Sequence, residues 1–490
     1  MAKTKMRKQS TFERLRRGEL NRKQRRNLAR RLAGNDPGLT IIHSNAGGID
    51  VGNESHFVAV PPDRDENPVQ EFGCWTADLK RMAEWLNACA IDTVAMQATG
   101  VYSIPLYDIL TGHGIQVVLV NAQHSKNVPG RKSDVQECQW LMKLHTYGLL
   151  RDSFHLEESM EGVRTIWRLR DRHVKDASRA VQHMQKALTK MNIQLANVLS
   201  DITGVSGQAI ISAILQGERD PWKLADLKHE MVKASREEVA RSLEGNWRDD
   251  LLFELQQAVN SYHFVHQQMR ACDRQIESFL ASLPTKILER LPLPDGAPAT
   301  TVKKAKKPRK LRKARHNQPT VDLTTALKRI CGVDLTSIDG IDVITAQTIV
   351  SEIGTDISKF NTEDHFASWL GLTPAKDITG GKIIGHGKRK VQNRVGGALR
   401  MAATTLLESK SYLGARYRHL RQRLPSHAAA VKAMARYLAV LVYRVLTHGE
   451  AWVDRGAAKF EQSRSERELR SLTSKALAKG FKLVPITAAG

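Results

Sequence analysis

The sequence predicts a chain of mixed class: an α/β domain, then a long helical middle, then a mostly helical C-terminal domain. Three observations carry this. Between residues 38 and 154, short β-rich runs alternate with amphipathic helical stretches, the mark of a covered sheet with parallel pairing. Between 155 and 291, apolar residues recur at helical spacing over two long runs with few breakers. From 321 to 450, helical patterns return, interrupted by Gly- and Pro-bearing turns.

Size and charge bound the function. A chain of 490 residues with 41% hydrophobic residues has room for two or three domains and a sizeable core. A formal net charge of +24 favours a polyanionic partner, most simply nucleic acid, over a merely charged soluble surface. Five scattered cysteines without a CxxC pair argue against a zinc site or a disulfide framework, and for a reducing compartment. No apolar run approaches the roughly 18 residues of a membrane helix, and the basic N-terminus lacks the apolar core of a signal peptide. The expected location is cytoplasmic, at the bacterial nucleoid.

Residues 1–37 are rich in Lys and Arg and too poor in apolar residues for a core. They read as a basic arm, either helical on a phosphate backbone or simply a solvated tail. Residues 38–154 open on Gly47-Gly48-Ile49-Asp50-Val51-Gly52, followed by a second β-rich run at 57–60. Two such runs bounded by Gly and Asn predict a hairpin, with Asp50 on its first strand close to the turn. A third strand is expected at 69–75, and then a helix capped by Thr76 or Asp78, with Leu79, Met82, Ala83, Leu86 and Ala90 on one face. A buried strand at 91–96, a break at Thr99-Gly100, a helix around Leu106 and Leu110, and a buried strand at 116–120 follow. A meander followed by βαβ units is the layout of ribonuclease-H-like nucleases. Next, Asp134 and Glu137 lie i,i+3 on a predicted helix and share a face. Together with Asp50 they read either as hard oxygen ligands for Mg²⁺ or as an incidental acidic pair on a capped surface helix.

Residues 155–291 carry two apolar runs, Val163 to Leu195 and Leu251 to Leu280, read as an antiparallel helical pair with a smaller helical insert at 199–244. Residues 292–320 form a basic Pro-rich linker. Its Lys303, Lys304, Lys306, Lys307, Arg309 and Lys310 read as an electrostatic clamp for nucleic acid or as a solvated tether. In 321–450, Ile338-Asp339-Gly340-Ile341-Asp342 suggests a helix-hairpin-helix element in which the Gly340 turn aims backbone N–H groups at a phosphate. Further on comes Ile378-Thr379-Gly380-Gly381-Lys382, with Lys382, Lys388, Arg389 and Arg394 as candidate phosphate contacts. Residues 451–490 read as a charged, weakly patterned tail.

The motifs Gly48-Ile49-Asp50-Val51-Gly52, Ala98-Thr99-Gly100-Val101-Tyr102 and Val128-Pro129-Gly130-Arg131-Lys132-Ser133-Asp134-Val135 resemble those of DEDD insertion-sequence transposases. These join a RuvC-like domain, a coiled-coil region and a C-terminal transposase domain, and work with a structured bridge RNA. The resemblance spans about residues 40–450. It implies a DNA transposase/recombinase that binds element ends and target DNA as a homo-oligomer, a dimer or tetramer, guided by RNA and using Mg²⁺. Asp50 and Asp134 fall at the first and third acidic positions. Gln97 stands where the second acid is a Glu, and Glu137 where the fourth is an Asp. Gln97 retains a carbonyl oxygen without the charge. Thr379 stands where the family places a nucleophilic serine, and otherwise reads as a turn hydroxyl. Two other functions compete: a weakened descendant that only binds nucleic acid, for which Gln97 is the discriminating feature, and a junction nuclease cutting by metal-activated water.

Overall fold

A computed structural model describes residues 40–97, 100–120, 133–150, 152–286, 317–374, 377–379, 382–385, 393–449 and 457–482. Several expectations lie outside these: the basic arm at 1–37, Ala98-Thr99, the 128–132 stretch, Lys303, Lys304, Lys306, Lys307, Arg309, Lys310, Lys388 and Arg389. The chain divides into two compact units, 1–155 and 156–490.

The first unit is built on a five-stranded sheet of order β3-β2-β1-β4-β5. β1 (Ala46–Val51), β2 (Ser55–Ala59) and β3 (Val69–Gly73) form an antiparallel meander, while β4 (Thr93–Gln97) and β5 (Gln116–Val120) add in parallel to β1. α1 (Thr76–Ala88) and α2 (Ser103–Gly112) bury Leu79, Met82, Leu86, Leu106 and Leu110 against Ile49, Val51, Val58, Val94 and Met96 on one face. α3 (Asp134–Thr146) covers the other face, where Cys138 and Met142 pack on Ala59. The meander and the βαβ units match the alternation read from the sequence. One detail differs. Neither Thr76 nor Asp78 caps α1: Trp75 holds the N-cap position without a side-chain bond. Asp78 sits inside the first turn, favoured there by the helix dipole, and pairs with Arg81 at 2.8 Å.

The second unit is almost entirely helical. α4 (Glu158–Lys190) and α9 (Asp249–Ser282) are 33 and 34 residues long and pack along each other. The insert between them forms α5 (Leu195–Val198), α6 (Val205–Leu215), α7 (Pro221–Ala225) and α8 (Arg236–Ser242), which close a core around Met184, Leu188, Leu255 and Tyr262. Elsewhere along the pair, α10 (Leu323–Cys331) contacts α9 and α11 (Val343–Ile353) contacts α4. Trp167 Nε1 donates to Thr348 Oγ1 (3.1 Å), and Arg168 grips Glu352 with two bonds. Arg170 and Asp273 form a buried ion pair at 2.5 Å. Asp273 also accepts from the Thr320 backbone (3.0 Å), and Arg170 donates to the Asn317 carbonyl (3.2 Å). On the near side of the undescribed 287–316 stretch, the Lys286 backbone N–H donates to the Arg329 carbonyl (3.0 Å) and its ammonium to that of Thr355 (2.7 Å).

The remainder comprises α12 (Glu363–Trp369), a hairpin of β6 (Asp377–Thr379) and β7 (Lys382–Gly385), then α13 (Arg394–Thr405), α14 (Tyr412–Arg423), α15 (His427–His448) and α16 (Ala457–Ala478). α16 lies in the stretch read as a charged, weakly patterned tail. It is a 22-residue helix against α14 whose Leu469, Leu472 and Leu477 remain exposed. No helix among the described residues is long and apolar enough to cross a membrane.

Candidate active site

Strand alternation fixes where the acids of the first unit point. Ile49 and Val51 belong to the core under α1 and α2, so Gly48 and Asp50 face α3. On β4, Val94 and Met96 join that same core, so Thr93, Ala95 and Gln97 face α3. Thr93 Oγ1 indeed meets His145 Nε2 of α3 at 2.9 Å. The parallel register pairs Gly48 with Ala95 and Ile49 with Met96, so Asp50 and Gln97 are the next residues along adjacent strands.

α3 runs over this face with a fixed polarity. Its C-terminal His145 sits over Thr93 at the start of β4. Its middle presses on Gly48, where a Cβ would lie 2.3 Å from both the Cys138 carbonyl oxygen and the Met142 nitrogen. Its first turn, bearing Asp134 and Glu137, therefore lies toward the strand ends that carry Asp50 and Gln97. Ser133 caps this turn, accepting from the Gln136 N–H at 3.4 Å. Cys138 lies on the inner side of α3. Burial, with the nearby charges of Asp50 and Asp134, pushes its thiol up to about 12. The thiol is thus a neutral floor to the acid face.

Asp50 is half-buried, Asp134 exposed and Glu137 half-buried. Gln97 is different: it is 3% exposed, and its Nε2 is buried without a hydrogen-bond partner. Among the described residues no three His, Cys, Asp or Glu side chains stand in an arrangement that holds a metal ion. Strand alternation and the polarity of α3 place these residues toward one end of one face.

Two family profiles match the chain. The DEDD transposase domain of IS110 elements matches residues 47–193, and the transposase IS116/IS110/IS902 family matches residues 334–418. Over these two segments the chain carries transposase domains of the IS110 group. No curated protein matches it. The first match begins at β1 and ends just past α4, so the family's acid-bearing domain includes the first long helix. The second runs from the turn before α11 into α14.

In the transposase's second unit, Thr379 ends β6 and pairs with Lys382, the first residue of β7. A strand end, rather than an open loop, holds the candidate nucleophile. Gly340 has φ +90°, which favours glycine, and a Cβ there would lie 3.1 Å from the Ala402 carbonyl of α13. The turn is thus built by close packing on α13, and the adjoining Asp339 accepts from Ser409 and Ser411, both at 2.5 Å. Arg394 opens α13 and bonds Asp171 at 3.0 Å, with Glu352 at 3.8 Å, so its charge is shared with two carboxylates. Gly48 and Cys138 were not singled out as site residues. The Gly47-Gly48 pair was their signal, because glycine inside a strand marks a close backbone approach.

Proposed function

We propose that this transposase exchanges DNA strands at the ends of its mobile element, guided by a structured RNA, with Mg²⁺ on the first unit and Thr379 as nucleophile. The observation that carries the reading is the placement of Asp50 on β1 and Asp134 in the first turn of α3, both toward one end of the sheet face that α3 covers, in a segment that matches the DEDD transposase profile. Carboxylate oxygens on a strand end and a helix first turn suit a hard cation. Asp50, Asp134 and Glu137 would hold it. Bound there, Mg²⁺ supplies charge stabilisation to a phosphate undergoing displacement. The Thr379 hydroxyl oxygen bonds to phosphorus as one P–O bond of the DNA breaks and a base takes up the hydroxyl proton. The products are a phospho-threonine ester and a free strand hydroxyl, which allows reversal onto a new strand without loss of bond energy. Self-association as a dimer or tetramer is supported by α9, where Phe253 and Phe264 stand exposed three turns apart on one stripe.

The competing reading, a descendant that only binds nucleic acid, is favoured by Gln97 and by the lack of a closed acid cage among the described residues. Supercoiled donor DNA, RNA and Mg²⁺ decide between them in an adduct-trapping gel. The transposase reading expects a covalent protein–DNA band that Thr379→Ala abolishes without loss of DNA binding. It also expects Gln97→Glu and Thr379→Ser to raise strand exchange. A band that survives in Thr379→Ala moves the nucleophile elsewhere. No band in any variant favours the binding-only descendant.

A further inference from the structure

We propose that the groove between α6 and α9 takes an unpaired nucleobase of a single nucleic-acid strand. The groove has a volume of about 330 Å³, at the small end of pockets that enclose a ligand. Polar side chains line it from both helices. Gln208 and Ser212 lie four residues apart on α6, and Gln216 follows at its C-cap. Gln256, Asn260 and His263 line the α9 side at the i, i+4, i+7 spacing of one helical face. All of these but the half-buried Gln256 are exposed. Met184, Ile211, Leu215 and Val259 add an apolar surface to the same groove. The buried Tyr262 bonds Thr203, whose hydroxyl donates to Asp201 at 2.6 Å, which fixes the deepest polar groups of the lining.

The lining selects by what it lacks. In a chain with 26% charged residues, no Asp, Glu, Lys or Arg lines this groove. A phosphate would find no cation there, and a metal ion no carboxylate. A purely apolar group would strip water from carboxamides and hydroxyls and leave them unpaired. A nucleobase meets both sides of the lining. Its faces pack on apolar side chains, and its edge carries donors and acceptors that a carboxamide matches with one C=O and one NH₂. Gln256 Nε2 donates to Asn260 Oδ1 at 2.8 Å, which leaves the Gln256 carbonyl and the Asn260 NH₂ as an acceptor and a donor for that edge. With a net charge of +24 and transposase domains at 47–193 and 334–418, a nucleic acid is the partner that brings bases to the groove, and only an unpaired base can enter. The proposal rests on the reading of the chain as a nucleic-acid-handling transposase, and on neither Thr379 nor the cation.

The test titrates the full-length protein with short single strands of RNA, of DNA, and of abasic DNA, across a salt series. Ser212→Phe fills the groove, and Asn260→Leu removes one of its amides. Both positions are exposed, so the fold should hold, and melting curves check it. Each variant should bind the base-bearing strand about tenfold more weakly at every salt concentration, with the abasic strand unaffected. The slope of log affinity against log salt should not change, because no phosphate contact is lost. Whether the loss appears with the RNA strand, the DNA strand or both identifies the source of the base. Variants that bind every strand like wild type overturn the groove assignment alone. So does a loss shared by the abasic strand, or a changed salt slope. A wild-type protein that binds none of the strands overturns the nucleic-acid reading along with it.

Discussion

The tightest contact in the first unit is the one between β1 and α3, and substitutions at adjacent glycines probe it from opposite sides. At Gly48 an added Cβ would lie 2.3 Å from two backbone atoms of α3 and 2.9 Å from a third. At Gly47 the nearest atom is a methyl of Val94 at 3.0 Å, on a side chain with room to adjust. Backbone cannot rotate away, so Gly48→Ala forces α3 back by at least about 0.7 Å, the gap between 2.3 Å and the closest approach real Cβ atoms make. Overpacking of this kind costs about 1–3 kcal/mol, and more where backbone must move. A unit of this size loses roughly 4–8 °C of Tm per kcal/mol. We expect Gly48→Ala to lower the melting transition of residues 38–155 by roughly 10 °C or more. Gly47→Ala should cost a small fraction of that. Because α3 carries Asp134 and Glu137, Gly48→Ala should also weaken Mn²⁺ binding, while Gly47→Ala should not. Circular dichroism melts and Mn²⁺ titration of both variants measure this. Equal Tm shifts in the two, or a Gly48→Ala protein that melts like wild type, would refute the packing argument.

Three further outcomes follow from other parts of the molecule. Burial, helped by the stacked His43, holds His145 down at about 4, below its unfolded value of 6.5. Folding thus favours the neutral ring, and its contribution is complete above pH 6.5 and lost as pH falls toward 4; the first unit should lose up to about 3 kcal/mol over that window in pH-dependent melts, and His145→Gln should flatten the slope. Arg170→Met should cost about 3–5 kcal/mol in urea unfolding by leaving Asp273 buried and uncompensated, and adding Asp273→Leu should recover part of that loss. Nucleic-acid affinity should fall by roughly a thousandfold between 50 and 200 mM salt, and neutralising Lys303, Lys304, Lys306, Lys307, Arg309 and Lys310 should flatten that slope in an anisotropy titration.

Much of the fold was legible because its signals are local. Short β-rich runs bounded by turn residues marked β1 to β3, near-continuous apolar runs marked the buried β4 and β5, and uninterrupted helical spacing marked α4 and α9. What stayed hidden depends on residues far apart in sequence. Arg170 meets Asp273 across 103 positions, and Arg394 meets Asp171 across 223. No pattern along the chain encodes such pairs. α16 was read only as a weakly patterned tail because its few apolar residues, Leu469, Leu472 and Leu477, are outnumbered by charged and small polar ones. At the candidate site, the residues at the acidic positions could be named from the motifs. The burial of Gln97 and its unpaired amide could not, because they depend on how closely α3 lies on the sheet.

The attachments on either side of residues 287–316 change what that stretch is to the protein. Lys286 is tied to Arg329 and Thr355, and Asn317 and Thr320 are tied to Arg170 and Asp273. Both ends are thus fastened to one folded body, by bonds that owe nothing to the peptide between them. Limited proteolysis within the stretch is expected to leave the two pieces co-migrating in size-exclusion chromatography, and separate elution would show that the flank bonds do not hold them. Two separately made polypeptides, one ending after Lys286 and the other starting before Asn317, carry complementary halves of a single interior, with Arg168 and Arg170 on one piece meeting Glu352 and Asn317 on the other.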